Sequence, residues 1–308
     1  MLSQFLINRI TKISREGRYA KFKYYLFYFI RLLILKVHNP IIRYKIGNYY
    51  LNIPLSSDFP FTHYRHFYYS LNVGRIASQV KDKYKNLTFI DIGGFIGDTV
   101  AILRGESKFP VLSLEGDKNY YRLLQKNMEK FSEVEIINSF VNDTNELSKK
   151  NINNNSRYIR QSKTLTNIVK ENIKFSRSKM LKVDTDGHDA RVLIGGFEYL
   201  KEIKPVIFFE YDPDLLAING NDGLTLLNSL EALGYENALI FENNGLFLLS
   251  AELNNKKLFK ELHYYLSGFK GYKYFDICLF HQEDQDLFEK IRESEIEYFK
   301  KIQYVSHF

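Results

Sequence analysis

At 308 residues the chain suffices for one large α/β domain with an added N-terminal region, or for two small domains; its 45% hydrophobic and 16% aromatic content supplies a packed core and excludes global disorder. The net charge of +7 is local, because residues 1–48 hold ten Lys or Arg against one acidic residue while the remainder carries 33 basic and 35 acidic residues; a basic nucleic-acid-binding catalytic domain is excluded and no nucleic-acid partner is expected. Cys278 is the only cysteine, which excludes an intrachain disulfide and a thiolate-rich zinc site and fits a reducing, cytoplasmic compartment.

Residues 1–45 read as one or two basic, apolar helices, broken at His38-Asn39-Pro40 because proline lacks an amide donor and biases its predecessor away from helix. The apolar run from Tyr24 to Val37 contains Arg31 and Lys36 and is followed by no small-residue cleavage site, so it does not have the form of a signal peptide. It is also shorter than the roughly 20 apolar residues a membrane span requires. Such a segment has two readings: a helix lying on an anionic membrane surface, making the protein peripheral to the inner face of a membrane, or a helix buried against its own domain or in a homodimer. Residues 42–53 alternate as a hairpin around Gly47-Asn48, and residues 55–80 are aromatic and irregular before a short helix.

From Leu87 onward strand, glycine turn and helix repeat. Strands are predicted at Leu87 to Ile92, Val111 to Glu115 and Val134 to Val141, with helices at Ile96 to Arg104 and Asn119 to Phe131. The Asn-rich stretch Asn142 to Lys163, with Asn153-Asn154-Asn155, reads as a mobile loop. A strand at Met180 to Asp184, a helix near Ala190 to Lys201, a strand at Val206 to Tyr211 and a helix near Leu224 to Leu233, stopped by Gly234, follow. Ala238 to Phe241, Leu246 to Ser250 and Tyr274 to Phe280 supply antiparallel strands, and a charged amphipathic helix begins at Gln282. The fold class is therefore α/β, a doubly wound and mostly parallel sheet of Rossmann-like form with an antiparallel edge. The expected organisation is an N-terminal helical and hairpin extension at 1–80, the catalytic domain at 81–281 and a C-terminal helix at 282–308.

Phe89-Ile-Asp91-Ile-Gly93-Gly94-Phe-Ile-Gly97-Asp98-Thr99 sits where a buried strand turns into a helix. Glycines there let the backbone approach a ligand, and the helix start offers free amides. The G-x-G-x-x-G spacing of a dinucleotide turn is absent, and Asp91, two residues before Gly93, opposes a pyrophosphate. A carboxylate there suits a cationic ligand, such as the ammonium and sulfonium groups of S-adenosylmethionine. Glu115, 24 residues later at the tip of the second strand, can accept two ribose hydroxyls; the other reading is a tight turn with a solvated strand end. Asn142-Asp143 after the third strand fall beside an adenine amine or simply form a turn.

Lys182-Val-Asp184-Thr-Asp186-Gly-His188-Asp189 ends the next strand, and Glu210 and Asp212 end the one after it. Carboxyl ends of strands carry the site in doubly wound sheets. Asp184, Asp186, His188 and Glu210 are the catalytic candidates, as general base, as divalent-cation ligands or as groups orienting an acceptor. A lone histidine at a strand exit such as His188 is more often a helix-start or surface residue, and Asp186 or Asp189 a helix cap. Methyl transfer is an in-line displacement that positioning alone largely drives.

These segments resemble the FkbM family of S-adenosylmethionine-dependent O-methyltransferases. The family pattern D-[VI]-G-A-N-x-G-[DE]-T is met by Asp91, Gly93, Gly97, Asp98 and Thr99, and E-P-x-P with a leucine-rich helix ending in Asn by Glu115, Leu123, Leu124 and Asn127. K-[IV]-D-[VI]-E-G-x-E is met by Lys182, Val183, Asp184 and Gly187, and the following P-x-[IV]-x-x-E by Pro205, Ile207 and Glu210. Phe95 stands for the usual Asn, Gly116 for Pro, Asp186 and Asp189 for Glu, and His188 for a small residue. The resemblance implies a class I methyltransferase that binds S-adenosylmethionine and methylates a hydroxyl of a surface glycan or its precursor. The segment Phe61, His63, Tyr64, Arg65, His66 and Tyr69 would stack on a sugar ring, or pack between the two regions. Two other readings compete: a nucleotide-sugar glycosyltransferase holding a divalent metal through Asp184 and Asp186, which leaves Asp91, Gly93, Gly97 and Glu115 without a role, and a non-catalytic membrane-associated protein that keeps the fold.

Overall fold

Short runs of β-branched and aromatic residues, each closed by glycine, acid or proline, build the central sheet in a computed structural model that describes residues 2–10, 18–145, 147–152, 156–269 and 272–305. The N-terminal part consists of α1 (Leu2–Ile10), α2 (Arg18–Leu35), an antiparallel hairpin of β1 (Ile41–Ile46) and β2 (Tyr49–Pro54), α3 (Phe59–Arg65) and α4 (Leu71–Lys83). The chain continues through β3 (Phe89–Ile92), α5 (Asp98–Glu106), β4 (Val111–Leu114), α6 (Lys118–Met128), β5 (Val134–Ile137), β6 (Phe140–Val141), β7 (Leu147–Ile152), β8 (Ser156–Lys163) and α7 (Leu165–Glu171). It then forms β9 (Met180–Val183), α8 (Asp189–Ile194), α9 (Phe197–Ile203), β10 (Val206–Tyr211), α10 (Pro213–Ile218), α11 (Gly223–Ala232), β11 (Tyr235–Glu242), β12 (Phe247–Glu252), α12 (Lys256–Leu266), β13 (Phe275–His281) and α13 (Gln285–Val305).

The eight-stranded sheet has the order β12-β11-β13-β10-β9-β3-β4-β5. Strands β5, β4, β3, β9 and β10 run parallel, while β13 lies antiparallel between β10 and β11 and β12 closes the edge. From β3 the chain winds outward to β5, then returns to β9 on the other side, so strand order reverses between β3 and β9. Ligands of doubly wound sheets bind in the crevice outside the carboxyl ends at such a reversal.

Alternation of side chains along each strand divides the core in two. Phe89, Val111, Met180, Val206 and Phe208 face one apolar layer, and Ile90, Leu112, Leu181 and Ile207 the other. The first layer also contains Leu6, Ile7 and Tyr24 of the N-terminal helices, Ile46 and Leu51 of the hairpin, Val73 and Ile76 of α4, and Leu287 and Ile291 of α13. Both chain ends thus bury apolar surface on the same face of the sheet. Arg31 is 3% exposed although it sits on an apolar helix. Its guanidinium donates to the carbonyls of Leu55, Ser56 and Ser57, pairs with Asp58 at 2.8 Å and lies 4.6 Å over the Phe61 ring, which anchors α2 to α3. Arg75 holds α13 against α4 through a two-pronged pair with Glu295 at 2.8 and 2.6 Å.

Several elements differ from the sequence expectation. Residues 55–80 contain two helices, α3 started by Pro60 near its N-terminus. The expected strand Val134 to Val141 ends at Ile137, and the expected loop Asn142 to Lys163 forms the hairpin of β7 and β8, with Asn153-Asn154-Asn155 outside the described residues. The expected helix from Ala190 to Lys201 is split into α8 and α9 at Gly195-Gly196, a glycine pair that disfavours helix continuation, and the Asn142 carbonyl fills the space that a side chain at Gly195 would need.

Candidate active site

The site begins with a row of buried polar side chains inside an apolar sheet. Strand register sets Ser113 of β4, Asp91 of β3 and Lys182 of β9 side by side, all on the layer shared with the N-terminal helices. Asp91 is 0% exposed and Lys182 5%. Ser113 Oγ donates to Asp91 Oδ2 at 2.8 Å, while Lys182 Nζ lies 3.8 Å from Asp91 Oδ1 and donates to Asp184 Oδ2 at 3.0 Å. Asp91 Oδ1 is buried with no hydrogen-bond partner. Burial pushes the Asp91 carboxyl up, opposed by Lys182 and Ser113; burial would lower Lys182, but Asp184, Asp91 and Asp98 outweigh it and raise the ammonium.

Two residues further along each strand lies the rim of the crevice: Glu115, Gly93, Asp184 and Glu210, with Asp276 paired opposite Glu210 on antiparallel β13. Gly93 has φ +89° and a Cβ there would lie 1.8 Å from the Asp184 carbonyl oxygen. Its carbon-free side therefore lets β3 and β9 close on each other where they leave the sheet. At Gly94 and Gly97 the added carbon would meet Ser113 Oγ and Met128 Cε, both at 2.1 Å. The turn needs its glycines to pack against protein, whatever ligand it also serves. Phe95 has φ +45°, an uncommon backbone for a side-chain-bearing residue, and its ring lies 4.5 Å from Tyr120. Phe95 N–H donates to Glu115 Oε2 at 2.8 Å and Asp117 N–H to Oε1 at 2.7 Å. Glu115 is thereby fixed at the end of β4, and each oxygen keeps a lone pair for a further donor.

Thr99 is buried in the first turn of α5, and Asp98, the first residue of that helix, is pushed up to about 7 by burial, with Lys182 opposing. Asp189 is 1% exposed; it accepts from the amides of Thr185 and Gly187 at 3.2 and 3.1 Å and so shapes the loop after β9 instead of capping α8. Burial and Asp184 bring Asp189 to about 7. Glu210 is raised well above the usual carboxylate range by burial and by Asp184, Asp189 and Asp276, and Asp276 is raised to about 8 by burial and Asp184. Asp186, exposed at φ +50°, and His188, the exposed residue before α8, sit further out.

Above this rim stand two phenols, with Tyr69 Oη 3.5 Å from Tyr274 Oη. Both are raised by burial; Asp184 and Asp276 add to Tyr69, and Tyr69 and Asp276 to Tyr274. In the aromatic segment, Phe61 is buried against Tyr24 and Tyr28, so it packs between α2 and α3. His63 is 6.1 Å from Tyr69 between ring centres, and Arg65 donates to Tyr24 Oη at 3.0 Å. The side chain of Tyr64 lies outside the described residues.

Asn142 and Asp143 stand apart from this group. Asn142 packs its carbonyl on Gly195 at the far end of α8, and Asp143 lies 3.8 Å from Arg191. Because β5 ends at Ile137, the residues at its carboxyl end are Asn138 and Ser139; Asn138 Nδ2 donates to the carbonyls of Glu115 and Gly116 at 2.8 and 3.2 Å. The Phe140 ring occupies the space beside Gly116, where a side-chain carbon would lie 2.3 Å from it. Asp212 caps α10, its Oδ1 accepting from Asp214 and Leu215. Ser113, Lys182, Asp276, Tyr274 and Asn138 are rim and row residues that sequence reasoning left out of the site. Among the described residues no group of three or more His, Cys, Asp or Glu is arranged to hold a metal ion.

Residues 91–236, which include the turn, the rim and β9 to β10, match the model of the methyltransferase FkbM domain. No curated protein matches the chain in sequence. Solved structures with a similar fold include methyltransferase FkbM from Methylobacillus flagellatus KT, at 13% identity and TM-score 0.37 over 75% of this chain and 53% of that one. Others are the O-methyltransferase from Bacillus cereus in complex with SAH, at 14% and 0.36 over 67% and 80%, and tRNA (uracil-54, C5)-methyltransferase from Pyrococcus abyssi in complex with S-adenosyl-L-homocysteine, at 15% and 0.40 over 79% and 45%. This chain spans about half the length of the first and third of these.

Proposed function

We propose that the chain, whose residues 91–236 match the methyltransferase FkbM domain, is an S-adenosylmethionine-dependent methyltransferase whose methyl acceptor is a hydroxyl of a sugar in a surface glycan or its precursor. S-adenosylmethionine supplies an electrophilic methyl on a positively charged sulfur. The residues fit such a group: Asp91, Asp98 and Asp184 surround a single ammonium, Lys182, which leaves the crevice short of positive charge. Glu115, with one free lone pair on each oxygen, is placed to take the two ribose hydroxyls, and Asn138 and Phe140 would border the base.

The observation that carries the acceptor reading is the set opposite that end of the crevice: Glu210, Asp276, Tyr69 and Tyr274. Carboxyls raised by burial, as Glu210 and Asp276 are, accept a proton from a hydroxyl and hydrogen-bond its neighbours, and phenols offer an apolar face and a polar tip, which is what a sugar ring presents to be matched. Asp276, at about 8, is the favoured base. His188 and Asp186, exposed on the loop beyond, would border the acceptor instead of acting on it. The nucleotide-sugar transferase reading built on Asp184 and Asp186 gives way to the methyltransferase domain that spans both residues. The test is transfer of a labelled methyl group to a panel of sugars, nucleotide sugars and polyprenyl-linked sugars. Label recovered in an ether linkage, with turnover reduced at least tenfold in Asp276→Asn while S-adenosylhomocysteine still binds, is the expected result. Label on nitrogen or carbon would overturn the acceptor class.

A further inference from the structure

We propose that α2 docks the protein flat on an anionic membrane surface. The helix is apolar on all sides but only one side is used by the core. Tyr24 and Arg31 are buried and Phe27, Tyr28 and Ile34 partly so, at the three- and four-residue spacing of one helix face. The opposite face is open along its whole length: Phe22 is 67% exposed, Phe29 57% and Leu33 46%, with Tyr25, Leu26 and Leu32 between them. At about 100° per residue these six side chains fall within roughly 120° of arc. They form a stripe, not scattered single residues.

Charge identifies the occupant. Lys21 and Lys23, both exposed, project about 100° to either side of Phe22, one on each flank of the stripe, and exposed Lys36 follows its end. Glu16 is the only acidic residue among the first 48. A second copy meeting the first across this face would bring two sets of ammonium groups together, whereas phosphate headgroups neutralise them and leave the rings to enter the acyl boundary. No helix of the described residues is long and apolar enough to cross a membrane, so the contact is with one leaflet. Helix α3 lies between this helix and the crevice, with Phe61 on Tyr24 and Tyr28 and His63 towards Tyr69. Docking therefore holds the crevice one short helix from the bilayer. This inference goes beyond the methyl acceptor and stands without it.

Deleting the segment is not a clean test, because Leu6, Ile7 and Tyr24 belong to the core. The full chain is instead co-sedimented with vesicles of phosphatidylcholine alone and of equimolar phosphatidylcholine and phosphatidylglycerol. The parent is expected to bind the anionic vesicles at least tenfold better, on the order of fivefold for each basic residue engaged. Phe22→Glu with Phe29→Glu should abolish binding, and Lys21→Glu with Lys23→Glu should remove the anionic preference, both with unchanged far-ultraviolet dichroism and S-adenosylhomocysteine affinity. Equal binding to both vesicles, no binding by the parent, or parent-like binding by the phenylalanine variant would overturn the proposal. A parent dimer that the phenylalanine variant splits in sedimentation velocity, without vesicle binding, would assign the face to a second copy.

Discussion

Replacing Lys182 by Met tests whether the buried ammonium is the counterion on which the crevice depends. Its Nζ lies 3.0 Å from Asp184 and 3.8 Å from Asp91, at 5% exposure. With an effective dielectric near 20, each contact is worth about 4–6 kcal/mol before solvation, the one to half-exposed Asp184 being further reduced by solvent screening. Desolvating the ammonium takes back several kcal/mol, but truncating one partner of a buried pair leaves the other charge uncompensated, so the net loss is about 3–5 kcal/mol. Asp91 bears most of that loss, because it is fully buried and retains only the neutral hydroxyls of Ser113 and Thr99 as donors. In the variant Asp91 escapes by taking up a proton, so the deficit grows with pH and is compared at about pH 5 and about pH 8. Urea unfolding followed by far-ultraviolet dichroism at both pH values reads the difference. A variant within about 1 kcal/mol of the parent at about pH 8 would show that the carboxylates are already neutral and that Lys182 is not their counterion.

Glu115→Gln removes the charge while keeping one acceptor oxygen, and should weaken S-adenosylhomocysteine in calorimetric titration by about 10- to 100-fold, the value of charge-assisted hydrogen bonds. Gly93→Ala should prevent folding, since its carbon would lie 1.8 Å from the Asp184 carbonyl at φ +89°, whereas Gly105→Ala, with nothing nearer than 3.9 Å in a helix, should gain up to about 1 kcal/mol in thermal unfolding. Asp98 and Asp189 near 7 and Asp276 near 8 are raised mainly by burial, so between about pH 4 and 8 the folded state binds more protons than the unfolded one. Stability from these groups is complete below about pH 4 and lost as pH rises through 7 to 8; urea midpoints that climb over this range would contradict the assignment.

Most of the parallel half of the sheet was legible because β3, β4, β9 and β10 are buried on both faces and show as short apolar runs with at most one or two polar residues, each followed by a glycine or acid. That pattern placed Asp91, Gly93, Glu115, Asp184 and Glu210 at strand ends, where the structure has them. Asp276 was not legible as a rim residue, because its place opposite Glu210 depends on β13 entering antiparallel between β10 and β11, a pairing with no local signature. A signal did exist: an acid inside Phe275–His281 and a lysine inside Met180–Val183 are charges in otherwise apolar strands, and buried charges need partners. The strand expected over Val134 to Val141 ends four residues earlier, at Ile137, so Asn142 does not directly follow it; Phe140-Val141, a separate short strand, is apolar enough to prolong the pattern. The hairpin β7–β8 escaped because Leu147–Lys163 is polar on both faces, and backbone pairing leaves no trace in such a pattern.

Under the proposed O-methylation the proton balance closes within the rim. Methylating a hydroxyl releases one proton, and the positive charge on the cofactor's sulfur disappears in the same step. Before transfer, that charge would favour ionised carboxylates around it, pulling Asp98 and Asp276 toward the form that can accept a proton. After transfer the cation is gone, and burial again favours the neutral acid, so the carboxyl that took the proton keeps it until the product leaves. A crevice of carboxyls poised near neutrality by burial thus gains a base when the cofactor is charged and an acid when it is not. One ammonium, Lys182, prevents the row from becoming wholly neutral in either state.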